Sequence, residues 1–269
     1  MPRLKETIAL AEELWPLELA ESWDSIGLIT GEPNAEISTV LFCVDPTHEV
    51  IDEAMEIDAE LIISHHPLYL GGTTNVAATN YKGSVIHRLI KNNIALYNAH
   101  TNADSAHEGV NDQLAYACGL KEFKPLIPQE KTPELGLGRV GNLPEKTSLK
   151  DLAARLAKEL PATVTGIRVA GNPEQEITRI AVCGGAGDSL FDAVRANNAE
   201  VYVTSDLRHH PALEATQDSP LCIIDTAHYA SESLWLPAAA EQFAQEGYKT
   251  KVSDTTSDPW DFVVVQSEE

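Results

Sequence analysis

The chain of 269 residues carries 41 acidic side chains against 19 basic ones, a formal net charge of -22. So negative a protein is a poor partner for a phosphate backbone, which needs a basic face, and nucleic acid is disfavoured as a ligand. The length allows one large or two medium domains with a sizeable core. Met1-Pro2-Arg3-Leu4-Lys5-Glu6 is charged and amphipathic, and no run approaches the ~18 apolar residues of a membrane span, so the expectation is a soluble cytoplasmic protein with no membrane partner.

In chain order, the apolar spacing of Leu4, Ile8, Ala11 and Leu14 predicts a helix that Pro16 terminates. The stretch from Pro16 to Leu28, with Trp23 and Asp24, is too irregular for a long helix and reads as a structured loop. Thr39 to Asp45 is strand-like, His48 to Asp58 helical, and Leu61 to Ser64 a second strand, which makes a βαβ unit with parallel pairing. Leu61-Ile62-Ile63-Ser64 runs straight into His65-His66-Pro67. Both imidazoles therefore fall at the C-terminal end of a strand, where open α/β sheets bind ligands, and His65 and His66 read as half of a metal site. The polar loop 71–80 that follows either folds over a site or is mobile. Ser84 to Asn92 predicts a helix and Ile94 to Asn98 a strand ending at His100-Thr101-Asn102-Ala103-Asp104. Asp104 is a carboxylate partner for His65 and His66, because divalent cations take imidazole and carboxylate together; the competing reading makes it a turn residue before Gly109.

After a helix from Val110 to Cys118, Pro125, Pro128, Pro133 and Pro144 mix with Gly136, Gly138 and Gly141, a composition that breaks long elements. A domain junction is expected there, giving residues 1–128 and 129–269, with a C-terminal segment that packs back on the first half. Ser148 caps a helix running to Leu160. Ile177 to Cys183 is a strand that enters Gly184-Gly185-Ala186-Gly187-Asp188-Ser189, either a tight strand-to-helix turn or an anion contact; it has no Walker lysine and does not fit G-x-G-x-x-G. A Leu190 to Asn197 helix and a Val201 to Thr204 strand lead to Ser205-Asp206-Leu207-Arg208-His209-His210-Pro211. Arg208 serves either an anionic substrate or a neighbouring acid. Leu221 to Asp225 is another strand. From His228 to Glu246 the pattern is helical, with His228 and Glu232 one turn apart, an i, i+4 pair that presents two ligands to one centre. Phe262 to Gln266 is strand-like. Cys43, Cys118, Cys183 and Cys222 are scattered, without a C-x-x-C pair, and read as small core residues.

The two halves nearly repeat. Glu60 stands seventeen positions after Cys43, and Glu200 seventeen after Cys183; each half then has a His-His-Pro, with a four-residue excess in the second, and later a His-x-x-x-acid. The expected fold is α/β, two pseudo-symmetric halves with mixed, largely parallel sheets.

Several of these segments together resemble one family: Ser64-His65-His66-Pro67, Asn98 to Asp104, Ser205-Asp206-Leu207-Arg208-His209-His210, His228-Tyr229-Ala230-Ser231-Glu232 and Pro259-Trp260. The chain is similar throughout to the GTP cyclohydrolase 1 type 2 family, also called dinuclear-metal-centre or Ngg-interacting-factor-like proteins. Leu19 to Leu28 fits its N-terminal signature, with Ser25 where Asn is more usual. The resemblance implies two divalent metal ions per chain in the cleft between the halves and a ring-shaped homohexamer. It carries the metal ligands to His65, His66, Asp104, His228 and Glu232, and makes His100, His209 and His210 supporting or substrate-facing. Zinc, manganese, iron and nickel all suit such ligands. Five protein ligands cannot saturate two ions, so water completes the coordination and hydrolysis is the favoured reaction class. Asp104 or Glu232 would then bridge, His100 or His209 would transfer a proton, and Arg208 would contact an anion. The family name suggests a small-molecule substrate of nucleotide type; the alternative is a non-catalytic metal-binding ring or scaffold.

Overall fold

The computed structural model describes residues 1–265. The elements, in chain order, are α1 (Leu4–Leu14), β1 (Gly27–Thr30), β2 (Thr39–Cys43), α2 (His48–Glu56), β3 (Leu61–Ser64), α3 (Tyr81–Lys91), β4 (Ala95–Asn98), α4 (Thr101–Ser105) and α5 (Val110–Cys118). There follow β5 (Phe123–Pro128), β6 (Gly136–Ser148), α6 (Leu149–Glu159), β7 (Arg168–Ala170), β8 (Glu176–Ala186) and α7 (Phe191–Ala196). The chain continues with β9 (Val201–Ser205), α8 (His209–Asp218), β10 (Cys222–Thr226), α9 (His228–Ser233), α10 (Trp235–Gln245) and β11 (Lys249–Val252). No helix among the described residues is long and apolar enough to cross a membrane.

Two compact units divide the chain: Met1–Val110 with Trp235–Ser257, and Asn111–Leu234 with the chain from Asp258. The first holds a five-stranded sheet in the order β1-β4-β3-β2-β11, parallel except for the antiparallel β1. Its last strand comes from far along the sequence, β11 pairing with β2 through Lys249↔Thr39 to Val252↔Phe42. Lys249-Thr250-Lys251-Val252 is a short, lysine-bearing edge, the kind of strand that apolar periodicity does not reveal. Lys251 and Ser253 hold it to α2, the lysine Nζ 2.8 Å from Glu53 Oε1 and the hydroxyl donating to Glu53 Oε2 at 2.5 Å. One face of the sheet packs Leu41, Ile62 and Leu96 against Val50, Ile51, Val85 and Leu89 of α2 and α3. Phe42, of opposite parity in the strand, meets Phe243 of α10 edge-on at 5.3 Å, and Trp15 stacks on Phe243 at 5.8 Å.

The second unit holds a six-stranded sheet, β5-β6-β8-β9-β10-β7, in which β8, β9 and β10 run parallel and the other pairings are antiparallel. Its three parallel strands are buried on both faces. Ile180, Val182, Val201, Val203, Cys222 and Ile224 join one cluster, while Ala181, Cys183, Tyr202 and Ile223 join the other. That period of two explains near-continuous apolar runs that show no polar face.

The repeat has a structural cause. Glu60, just before β3, accepts the N–H groups of Ser38 and Thr39 at 3.1 and 2.8 Å, and Glu200, just before β9, accepts those of Thr178 and Arg179 at 2.6 and 2.8 Å. In both units a glutamate pins the start of one parallel strand to the start of its neighbour.

Three local expectations are corrected. The proline- and glycine-rich stretch forms β5 and β6, two antiparallel strands of the second sheet; Pro125 and Pro128 fit because β5 is an edge strand, where a missing N–H costs little. The expected helix from His228 to Glu246 is two helices, α9 and α10, meeting at Leu234. Phe262 to Val265 has no regular structure and is exposed, so its apolar run is not the mark of a buried strand; Gln266 lies outside the described residues.

Candidate functional site

In the first unit β3 and β4 end side by side in parallel register, Ser64 opposite Asn98, so the residues that follow each strand emerge together. His65, His66 and His100 result, ligand nitrogens from the three lying within 4.8 Å of one another. Each ring has its Nδ1 committed. His65 Nδ1 lies 3.0 Å from the Ala99 carbonyl oxygen, His66 Nδ1 2.8 Å from Asp45 Oδ1, and His100 Nδ1 2.9 Å from Asp24 Oδ1. Those oxygens accept, so the proton sits on Nδ1 and Nε2 keeps its lone pair, the arrangement usual for histidines that ligate metals. His65 is fully buried, and Trp235 packs on its ring at 5.7 Å.

Asp104 joins this group. Its Oδ1 stands 3.7 Å from His65 Nε2, too long for a hydrogen bond but a natural spacing for two donors about one ion with bonds near 2 Å. Asp104 and His65, expected together, lie near one another. Asp24 has a different role. Burial works against its charge, but hydrogen bonds from His100 and from the N–H and hydroxyl of Thr101 hold its carboxyl well below the usual carboxylate range. It stays ionised, a fixed anion behind His100. Asp45 is braced similarly by the Ser257 hydroxyl at 2.5 Å.

The second unit repeats the wiring at the ends of β9 and β10. His228 Nδ1 lies 2.7 Å from Asp206 Oδ2, and His228 Nε2 lies 3.0 Å from Glu232 Oε1 across one turn of α9. Two carboxylates about one imidazole make a place that draws positive charge. The glycine-rich turn fits against this pair. Gly185 has φ +66°, and a Cβ there would lie 2.4 Å from Glu232 Oε1 and 3.2 Å from His228 Nε2, so only glycine lets the backbone approach. Two of its amides are taken up by side chains: Gly184 N donates to Asn111 Oδ1 at 2.9 Å and Gly185 N to Ser231 Oγ at 3.0 Å. The turn packs closely around His228 and Glu232, which agrees with the tight strand-to-helix reading.

Arg208 donates through Nε and Nη2 to Asp188 Oδ2 at 2.9 and 2.5 Å. His209 and His210 open α8, both exposed, and belong to no metal-competent group among the described residues. The four-residue excess of the second repeat is the cause: counted from Glu200, the positions matching His65 and His66 are Ser205 and Asp206.

With these arrangements in view, the comparisons with known proteins are informative. The Duf34/NIF3 (NGG1p interacting factor 3) family profile matches residues 2–259. The chain belongs to the Duf34/NIF3 family. A Streptomyces coelicolor protein named GTP cyclohydrolase 1 type 2 homolog is 51% identical over 97% of this chain and 94% of its own length. Among solved structures, a Bacillus cereus protein described as related to NIF3 superposes with a TM-score of 0.90 at 26% identity, covering 97% of this chain and 99% of that one. A Staphylococcus aureus hypothetical protein gives 0.88 at 30% identity with the same coverage. The mixed α/β architecture with two mixed sheets is thus a NIF3 fold.

Four supporting residues escaped the sequence reading of this NIF3 chain. Asp24, Asp45 and Asp206 orient histidines, and Gly185 makes room for His228 and Glu232. Asp45 and Asp206 each follow a parallel strand by one or two residues, which is a usable signal; Asp24 sits in a loop and offers none.

Proposed function

We propose that this NIF3-family chain is a divalent-metal-dependent hydrolase whose metal ions are held by two ligand sets, His65, His66 and Asp104 in one unit and His228 and Glu232 in the other. The observation that supports this is the shared wiring of the histidines. Nδ1 of His65, His66, His100 and His228 each faces an oxygen acceptor at 2.7–3.0 Å; in the first three this favours the tautomer with Nε2 unprotonated, while His228 also faces Glu232 through Nε2. Isolated structural histidines have no reason to agree in this way. Nickel, iron, manganese and zinc all accept such nitrogen and carboxylate donors.

Bound there, divalent ions supply Lewis-acid activation of a substrate and of water near neutral pH. The chain's own residues do the rest. Asp24 holds His100 in the tautomer with Nδ1 protonated, leaving Nε2 as the position where a proton is taken up and released. Trp235 closes one side of His65 and keeps water from that ring. A nucleotide is the substrate class we favour, on the strength of the name that the relatives carry.

The test is metal content per chain by elemental analysis, for wild type, His65→Ala and Glu232→Ala, followed by a hydrolase screen that includes GTP. Bound metal in the wild type, reduced in both variants with turnover reduced in parallel, is the expected result. Less than half a metal per chain in reloaded wild type overturns the ligand sets. Firm metal binding with no turnover retires the hydrolase and leaves a metal-binding protein.

A further inference from the structure

The second unit has a cavity of about 410 Å³ that the metal ligands do not line. Its size suits a small molecule. Arg168, Arg208 and His209 contribute polar groups to it, while Leu207, Leu213 and Ile223 give it an apolar wall. In a chain with 41 acidic and 19 basic side chains, two arginines on one cavity wall are a local concentration of guanidinium groups, each paired with one aspartate, Asp225 or Asp188.

Neither guanidinium is exhausted. Arg168 donates through Nη2 to Asp225, and Arg208 through Nε and Nη2 to Asp188. Among the described residues these are the side-chain partners they have, so Nε and Nη1 of Arg168 and Nη1 of Arg208 face solvent and are open to a ligand. The two aspartates orient the arginines without enclosing them, since the side chains are 69% and 77% exposed. A second source of donors lies at the same place. The ten-residue α8 begins at the cavity, with Arg208 as its N-cap; no side chain caps it, and its first turn carries no acid. The uncapped amides of His209 and His210, Pro211 having no N–H, and the positive end of a helix dipole favour an anion, and guanidinium groups match the oxygens of a phosphate.

We propose that this cavity binds a small phosphorylated molecule with an apolar body, the phosphate held by Arg168, Arg208 and the start of α8, the body against Leu207, Leu213 and Ile223. The site does not require the metal reading. It is distinct from the ligand sets, although Asp206, which orients His228, directly precedes the lining residue Leu207.

Isothermal titration of the full chain with phenyl phosphate, inorganic phosphate and phenol tests it. Phenyl phosphate binds saturably and more tightly than inorganic phosphate, and phenol does not bind. Arg208→Gln, at an exposed position that leaves the fold intact, weakens phenyl phosphate about tenfold or more, and Leu213→Glu, which puts a negative charge into the apolar wall, does the same. His65→Ala leaves the affinity unchanged, which separates this site from the metal ligands. The proposal is overturned by an absence of saturable binding, by equal affinity for phenyl and inorganic phosphate, by indifference to both cavity substitutions, or by loss of binding in His65→Ala.

Discussion

The two units use one strand-end device and fill it differently. Counting five and six positions on from the pinning glutamate gives His65 and His66 in the first unit, Ser205 and Asp206 in the second. Where one unit offers a second imidazole, the other offers a carboxylate that orients an imidazole from the next strand. That next strand is alike in both. His100 follows β4 and His228 follows β10, each stands four residues before an acid, and each gives Nδ1 to an aspartate, Asp24 or Asp206. The lesson is that topology fixes where a side chain emerges, and residue type at that place decides whether it ligates or supports.

Substitutions sharpen or break this comparison. The largest effect is expected from the aspartates behind the histidines. Asp206→Asn should weaken metal retention by about 10- to 100-fold in competition with a chelator, because the amide no longer holds the imidazole tautomer as an anion does. Asp24→Asn should leave metal content closer to wild type and cut turnover instead, if His100 carries protons and does not ligate. Equal metal loss in the two variants would move His100 into the ligand set.

Gly185→Ala comes next. The added methyl meets Glu232 Oε1 at 2.4 Å on a backbone of φ +66°, so about 1–3 kcal/mol of stability and the metal of the second set should be lost together. Unchanged metal content would show that the close approach of this turn is incidental. Smaller and matched effects are expected at the repeated glutamates. Glu60→Ala and Glu200→Ala each remove an acceptor from two backbone N–H groups and should each cost about 1–2 kcal/mol in urea unfolding. A cost in one unit only would break the structural equivalence.

The smallest effect is a pH dependence peculiar to the first unit. Burial opposes the charge on Glu53, but hydrogen bonds from Lys251, Ser253 and the Asp254 amide lower its pKa below the ordinary value. A depressed carboxyl contributes its stability in full above the unfolded pKa of about 4.3 and loses it as pH falls through the folded value. Wild type should therefore exceed Glu53→Gln in unfolding midpoint at pH 7, and the gap should close below about pH 4. A gap that persists in acid would rule out the carboxylate as its source.

Much of the site was legible because it depends on short-range pattern. The run of apolar residues before His65 marks a buried strand, and a histidine with an acid four residues on marks one helical face. Glu60 and Glu200 were visible as a repeat, though what they do required seeing the strand starts they pin. His209 and His210 invite the same reading as His65-His66 only when the repeat alone is followed. Their likeness to His65-His66 is real in sequence, yet four extra residues carry them past the end of β9 and into α8. The glycine-rich turn reads first as a tight strand-to-helix turn and second as an anion contact, and the side chains of Asn111 and Ser231, distant in sequence, take up two of its amides.

By itself the sequence determined the alternation of strands and helices, the placing of His65 and His66 at a strand end, and the His100–Asp104 and His228–Glu232 pairs, since each follows from spacing within a few residues. Tertiary structure alone decided that a lysine-bearing segment near the C-terminus closes the first sheet, that Gly185 must be bare, and that Asp24, Asp45 and Asp206 stand behind the histidines. Those aspartates lie 76, 21 and 22 positions from their partners. Contacts over such distances exist only once neighbouring strands have brought their ends together, and no local pattern encodes them.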